Sequence, residues 1–406
     1  MSETALHGAP TMRRLPMPEF IAMLAFLFAT IAFSIDAMLP ALPQIAAELT
    51  PDDINRAQLI LTAFVGGMGL GTLFAGPISD AIGRKRAITL GFAIYFLAAL
   101  AALFAHSIEM LLIARFIQGL GAAGPRIAGL ALVRDLYAGR EMARITSFVM
   151  MVFIIIPALA PSIGAGMIWL AGWQGVFIGF LAFACIGAAW LNLRQAETLP
   201  RERRRPLRLA PLTEAAREVL TNRHVMLCTL ILTLGFGQMF GLLSSAQQLF
   251  GEAYGKGEAF PIWFAAMALL SGSGTILNAT FVTRFGMRRI AKWAYIMQSC
   301  VSATMLILLT TDLLPPGLRF PAFFAWCVSV FFMAGVTFGN LNALALQRVG
   351  HIAGMAASIV SAISTVLAVA IAAPVGLLYN GTAIPVVTAT LICSTIAWFM
   401  MRFLTD

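Results

Sequence analysis

"DAIGRKRAI" (residues 80–88) and "TRFGMRRIA" (283–291) are two versions of one short pattern. Placing Gly83 on Gly286 also places Lys85 on Arg288 and Arg86 on Arg289, at an offset of 203 in a chain of 406 residues. Each version follows a long apolar run. A pattern that returns at half the chain length points to two copies of one structural unit.

Composition says what kind of unit. The chain is 60% hydrophobic and 11% charged, whereas soluble domains carry about 25% charged residues. There is too little polar surface to cover a water-soluble globule, so a polytopic membrane protein is expected. The formal charge of +9 does not suggest nucleic acid, because the cations sit in short gaps between apolar runs and form no stripe interleaved with exposed aromatics. The five cysteines lie within apolar runs without metal-ligand spacing and read as packing residues. A cleaved signal peptide is not expected, since Asp36 follows the first apolar run directly and no small-residue cleavage site precedes it.

A membrane helix needs ~20 mostly apolar residues. Candidate spans fall at 20–42, 56–78, 87–105, 109–131, 145–168 and 174–193, and then at 223–249, 260–282, 290–311, 320–346, 354–379 and 384–403. The pattern predicts an all-α membrane protein with 12 transmembrane helices in two six-helix pseudo-symmetric bundles. The expected organisation is a tail at 1–19, an N-terminal bundle at 20–193, a central loop at 194–222 and a C-terminal bundle at 223–406. Arg13, Arg14, Arg84, Lys85, Arg86, Arg134, Arg288 and Arg289 fall on one side, and only Arg56, Lys256 and Arg319 on the other. The positive-inside rule then makes both termini cytoplasmic. Prolines at 200, 206 and 211 break up the cationic central loop, where "LTEAAREVL" (212–220) has the pattern of a short amphipathic helix. The loop otherwise reads as a solvated linker near anionic lipid.

Within the spans one carboxylate stands out. Asp36 is the only acid well inside any of them. A charge at bilayer depth costs ~2.5–3.5 kcal/mol even on the lenient insertion scale, so the residue should face a cavity or a partner. Arg115, on the antiparallel fourth span, falls at a similar depth. Loss of water opposes the charge of Asp36, and a nearby Arg115 would favour it. That tension suits a group that gains and loses a proton. A fixed ion pair fastening the first span to the fourth would use the same residues. "GLGAAG" (119–124) matches a dinucleotide fingerprint in form only. It lacks the preceding strand and reads as close helix packing.

The chain resembles transporters of the major facilitator superfamily and, more narrowly, the Bcr/CflA group of bacterial drug:proton antiporters. "DAMLPALPQIA" (36–46) is similar to the group's first-helix signature, "GPISDAIGRKR" (76–86) to the superfamily's loop between helices two and three, and "RFIQGLGAAG" (115–124) to its fourth-helix motif. "PALAPSIGAG" (157–166) resembles the fifth-helix antiporter motif, and "ETLPRERR" (197–204) the stretch after helix six. Two departures stand out: Ala81 where the loop motif has Arg, and Gln174 where the group has Arg after Trp173.

The resemblance implies proton coupling through Asp36 and Arg115. It implies a gating loop of Gly76, Asp80, Gly83, Arg84 and Lys85, with Asp80 at the positive end of helix eleven. It further implies a bent fifth helix carrying Pro157, Pro161, Gly164 and Gly166. Polar residues beside methionines and aromatics suggest a substrate cavity, with Gln118, Gln238, Met239 and Asn340 as its candidates. The function expected is proton-coupled efflux of small lipophilic drugs or metabolites, with a proton-coupled nutrient importer as the alternative. The energy source is the proton gradient, and no cofactor, metal or enzymatic motif is expected. A transporter-like sensor or membrane enzyme has less support, since no HExxH, nucleophile elbow or Walker sequence occurs. One chain carries both halves, so a functional monomer in the bacterial inner membrane is expected.

Overall fold

The computed structural model describes residues 15–207, 209–311 and 313–404. Arg13 and Arg14 of the basic set lie outside them. Fourteen α-helices are formed: α1 (Met17–Asp36), α2 (Leu42–Leu49), α3 (Leu59–Ile82), α4 (Arg84–Leu103), α5 (Ile108–Leu136), α6 (Gly139–Ala171), α7 (Gln174–Arg194), α8 (Leu209–Thr221), α9 (Arg223–Gln248), α10 (Phe260–Phe285), α11 (Met287–Thr311), α12 (Pro316–Leu346), α13 (Ala353–Leu377) and α14 (Ile384–Met400). Ten helical segments are long and apolar enough to cross a bilayer, while α6 and α14 contribute the shorter apolar stretches Ile155–Ala171 and Ile384–Met400.

Helix packing follows the repeat. In the first half α1 lies on α6, α3 and α4 lie on α5, and α4 lies on α7. In the second half α9 lies on α13, α10 and α11 lie on α12, and α11 lies on α14. Across the halves α3 meets α13 and α6 meets α10, which are mates under the same two-fold exchange. This is the packing of a parallel repeat about an axis along the membrane normal.

The turn between α3 and α4 is a sharp corner. Gly83 takes φ 104°, in the region that favours glycine. The fourth-helix glycines serve contact. A Cβ on Gly121 would meet Gly91 O and Tyr95 N at 2.6 Å, so α5 and α4 touch backbone to backbone.

The central loop is docked rather than solvated along its length. Glu197 Oε1 accepts from the backbone N–H groups of Arg84, Thr198 and Leu199 at 2.9, 3.0 and 3.1 Å. Arg205 N donates to Asp80 O at 3.1 Å. These bonds tie the loop's first part to the first half. Its second part, α8, buries Ala215 and Val219 against the second half, near Ala356 of α13. The difference from the expected linker has a physical reason. Glu197 caps the start of α4, whose first N–H groups lack helical partners, and α8 has one apolar face to bury.

Candidate functional site

The site begins where α1 is forced to stop. Proline has no N–H, so Pro40 cannot close a helical bond onto the Asp36 carbonyl, nor Pro43 onto that of Leu39. The chain leaves α1 at Asp36, passes through a 3-10 turn at Leu39–Ala41 and resumes as α2. The last-turn carbonyls of α1, at the negative end of its dipole, are left short of helical partners. Arg115 answers one of them: its Nη2 donates to Ser34 O at 2.9 Å.

Arg115 is fully buried. Its Nη1 donates to Gln118 Oε1 at 2.6 Å. Its guanidinium carbon lies 4.4 Å from the centre of the Phe64 ring and 5.7 Å from that of Phe180. The cation is thus held by a helix end, an amide oxygen and two π faces. Ser34 Oγ donates to Thr30 O at 2.5 Å and lies 2.6 Å from Tyr95 Oη, tying α1 to α4.

Asp36, 5% exposed, lies two residues from the carbonyl that Arg115 grips. Among the described residues it forms no ion pair and no side-chain hydrogen bond. The expected depth match therefore brings Arg115 to the end of α1, but not into a salt bridge. The backbone carbonyl and Gln118 engage its Nη2 and Nη1, its buried Nε has no hydrogen-bond partner, and the carboxylate stays uncommitted.

Helix α6 closes the other flank. A Cβ on Gly164 would overlap the backbone of Ala37, so this glycine lets α6 press on the turn beside Asp36. Gly166 faces open space. Pro157 and Pro161 lie inside α6, which continues as helix through both.

At the corner after α3, Arg84 pairs with Asp80 and, at 3.0 Å, with Asp135, and it reaches Ser79 Oγ at 3.1 Å. Lys85 Nζ donates to Asn192 O at 2.9 Å. The resemblance places Asp80 at the start of α13. In the structure its carboxylate is engaged one helical turn away by Arg84, with the side chain 46% exposed. The Gly76 position is not demanded by crowding, since a Cβ there would meet Ile127 and Ser358 at an ordinary 3.9 Å.

The cavity candidates have separate partners. Gln118 belongs to the Arg115 cluster. Gln238 Oε1 accepts from Ser394 Oγ at 2.8 Å, linking α9 to α14. Met239 is partly buried beside the main core. Asn340 Nδ2 donates to Asn278 Oδ1 at 2.7 Å, linking α12 to α10.

Sequence reasoning missed a polar seam between the halves, at the end opposite the basic corner. Gln58 Nε2 donates to Gln248 Oε1, and Ser245 Oγ donates to Gln58 Oε1 at 3.0 Å. Gln248 Nε2 reaches Asn55 Oδ1 at 3.3 Å, while Asn55 Nδ2 donates to Leu377 O and Tyr379 O at 3.1 and 2.8 Å. The starts of α3 and the ends of α9 and α13 are thereby joined. Gln248 could be found as a polar residue in an apolar run. Asn55 and Gln58 sit at a span edge, where polar residues are ordinary.

The two-fold helical repeat that holds this site is matched along nearly its whole length by the model for the Major Facilitator Superfamily, over residues 23–403. The chain belongs to the Major Facilitator Superfamily. It is 28% identical over 408 residues to an uncharacterized MFS-type transporter of Bacillus subtilis, covering 97% of each chain. It is 29% identical over 393 residues to a bicyclomycin resistance protein homolog of Haemophilus influenzae, covering 95% of this chain and 96% of the relative. Its fold is that of the xylose transporter XylE from E. coli, with a TM-score of 0.73 at 12% identity, over 96% of this chain and 98% of that one. The protein is a multi-pass membrane transporter of the bacterial inner membrane type.

Proposed function

We propose that this transporter exports small lipophilic compounds, drugs or metabolites, in exchange for protons by alternating access. The observation that carries the reading is Asp36, a buried carboxylate without an ionic partner, set at the broken end of α1 between the Arg115 cluster and Gly164. A group that must take up and release a proton has to be shielded from bulk water for part of the cycle, yet not be locked in a permanent salt bridge. The bicyclomycin resistance homolog and the multidrug resistance protein MdtL of Salmonella, 29% identical over 259 residues, support drugs as the substrate class.

On this reading residues 20–193 and 223–406 are two six-helix bundles that rock about a site between them, both termini are cytoplasmic, and 194–222 is the cytoplasmic connection. Asp36 carries the proton. Arg115 orients the end of α1, and the pairing of Arg84 with Asp80 and Asp135 braces the inner gate. Gln118, Gln238, Met239 and Asn340 contribute to the substrate path. The proton gradient supplies the energy, with no cofactor or enzymatic step, and one chain suffices.

Everted vesicles with an acidic interior and a pH-sensitive dye test this. A panel of lipophilic drugs should alkalinise the interior of vesicles bearing the parent protein. Vesicles bearing Asp36→Asn should give no response, with the protein still present and folded. A full response from Asp36→Asn would remove that residue from the proton path.

A further inference from the structure

At the basic corner a groove of about 520 Å³ opens between α4, the end of α7 and the first part of the central loop. Lys85, Arg86 and Arg204 are among its lining residues, with Leu90 and Ala93 one and two turns further along α4. We propose that this groove is a binding site for an anionic phospholipid, its headgroup phosphate held by the three cations and an acyl chain laid along Leu90 and Ala93.

The groove is amphipathic in the direction a lipid is. The cations are at the helix start, at the level of the headgroups, and the apolar wall runs along α4 toward the bilayer centre. Leu90 is 43% exposed and Leu193, at the end of α7, is 83% exposed, so both helices turn apolar side chains outward beside the groove. A soluble phosphate compound would have no use for that wall.

The charges are arranged to hold a phosphate. Lys85 is anchored to Asn192 O at 2.9 Å, at the C-terminal end of α7, and Arg204 Nε lies 3.4 Å from Leu199 O. Each of these contacts fixes the side chain with a neutral partner and leaves its positive charge in place. Arg86 forms no ion pair among the described residues and is exposed. The one acid in the lining, Glu197, spends an oxygen on three backbone N–H groups. Guanidinium groups favour phosphate through paired N–H donors, and basic pockets between helices on the cytoplasmic side suit anionic headgroups. The orientation proposed above decides only which leaflet supplies the lipid.

The test is native mass spectrometry of the purified full chain in detergent, titrated with phosphatidylglycerol, with phosphatidylcholine, and with glycerol phosphate as a headgroup without chains. It reads binding alone, so its outcome is independent of transport. The parent should retain phosphatidylglycerol in preference to both others. Arg86→Ala with Arg204→Ala should weaken that retention roughly thirtyfold. Ala93→Trp, which fills the apolar wall at an exposed position and leaves every charge, should also weaken it. Either variant decides the matter if the other fails to fold. Retention equal to the parent's in a folded variant would overturn the proposal. So would equal retention of phosphatidylcholine, or glycerol phosphate binding as tightly as the lipid, which would make the groove a site for soluble phosphate.

Discussion

The two halves share a scaffold and differ in what they bury. In the first half α5 buries a cation, Arg115, facing the end of a helix that carries an acid. In the second half no Asp, Glu, Lys or Arg is buried among the described residues. At the repeat offset of 203, Gln298 stands where Tyr95 stands. It donates to Ser302 Oγ at 3.1 Å, which in turn accepts from Trp326 Nε1 of α12 at 3.0 Å. The first half therefore holds a charged cluster among α1, α4 and α5, and the second a neutral hydrogen-bonded group between α11 and α12. The halves also touch differently. Gly67, Gly71, Gly119 and Gly121 bring α3, α4 and α5 together at their backbones, whereas Gly235 and Gly237 of α9 face the side chains of Phe338 and Ile371. Gly274 against Phe332 O is the second half's own backbone contact. The first half is thus packed backbone to backbone around a buried charge, and the second largely through side chains around neutral groups.

The largest effect should come from joining the halves. With the native cysteines replaced, Gln58→Cys paired with Gln248→Cys should form a disulfide on oxidation that stops vesicle transport, and a reductant should restore it. Transport by the oxidised pair would show that the halves need not part at this seam. Next, Arg115→Met removes charge-assisted bonds worth about 1.5–3 kcal/mol each and should lower transport at least tenfold, with a lower unfolding temperature. If Arg115→Met were as stable and active as the parent, the charged cluster would not be what distinguishes the first half.

The backbone contacts give a sharper pairing. Gly121→Ala forces two backbones apart and should cost about 1–3 kcal/mol, read as a drop in thermal unfolding temperature. Gly241→Ala of α9, whose Cβ would come no nearer than 3.3 Å to the Val375 side chain, should cost less than about 1 kcal/mol. Equal losses would erase the difference in packing. The smallest effect is expected for Gln298→Leu, at about 1 kcal/mol or less and with transport retained. Its Oε1 has no hydrogen-bond partner in the structure, so little is lost when the amide is replaced by an apolar group of similar size.

What could be read beforehand was what periodicity and charge encode. The repeated corner, the apolar runs and the shared depth of Asp36 and Arg115 are all written in spacing along the chain. The Arg115 partner was not, because a backbone carbonyl at a helix end has no residue letter of its own. Its acceptor, Ser34 O, lies in the last turn of α1, which ends at Asp36 just ahead of Pro40 and Pro43. Ser34 and Tyr95 read as ordinary members of membrane helices until the fold sets them 2.6 Å apart. The Gln58–Gln248 bond joins residues 190 positions apart, a pairing that topology makes and local pattern does not. The docking of the central loop was hidden for a similar reason, since Glu197 is held by N–H groups that every residue but proline possesses.

The docked loop sets a mechanical stop. Arg205 is stitched to the first half and Leu209 opens the helix that lies on the second, so four residue steps carry all the slack between them. A fully extended chain gains at most ~3.3–3.6 Å per residue, which makes the tether about 14 Å long. However far the halves rock, their basic ends can separate at that point only by what this short leash allows, unless Glu197 or α8 first lets go.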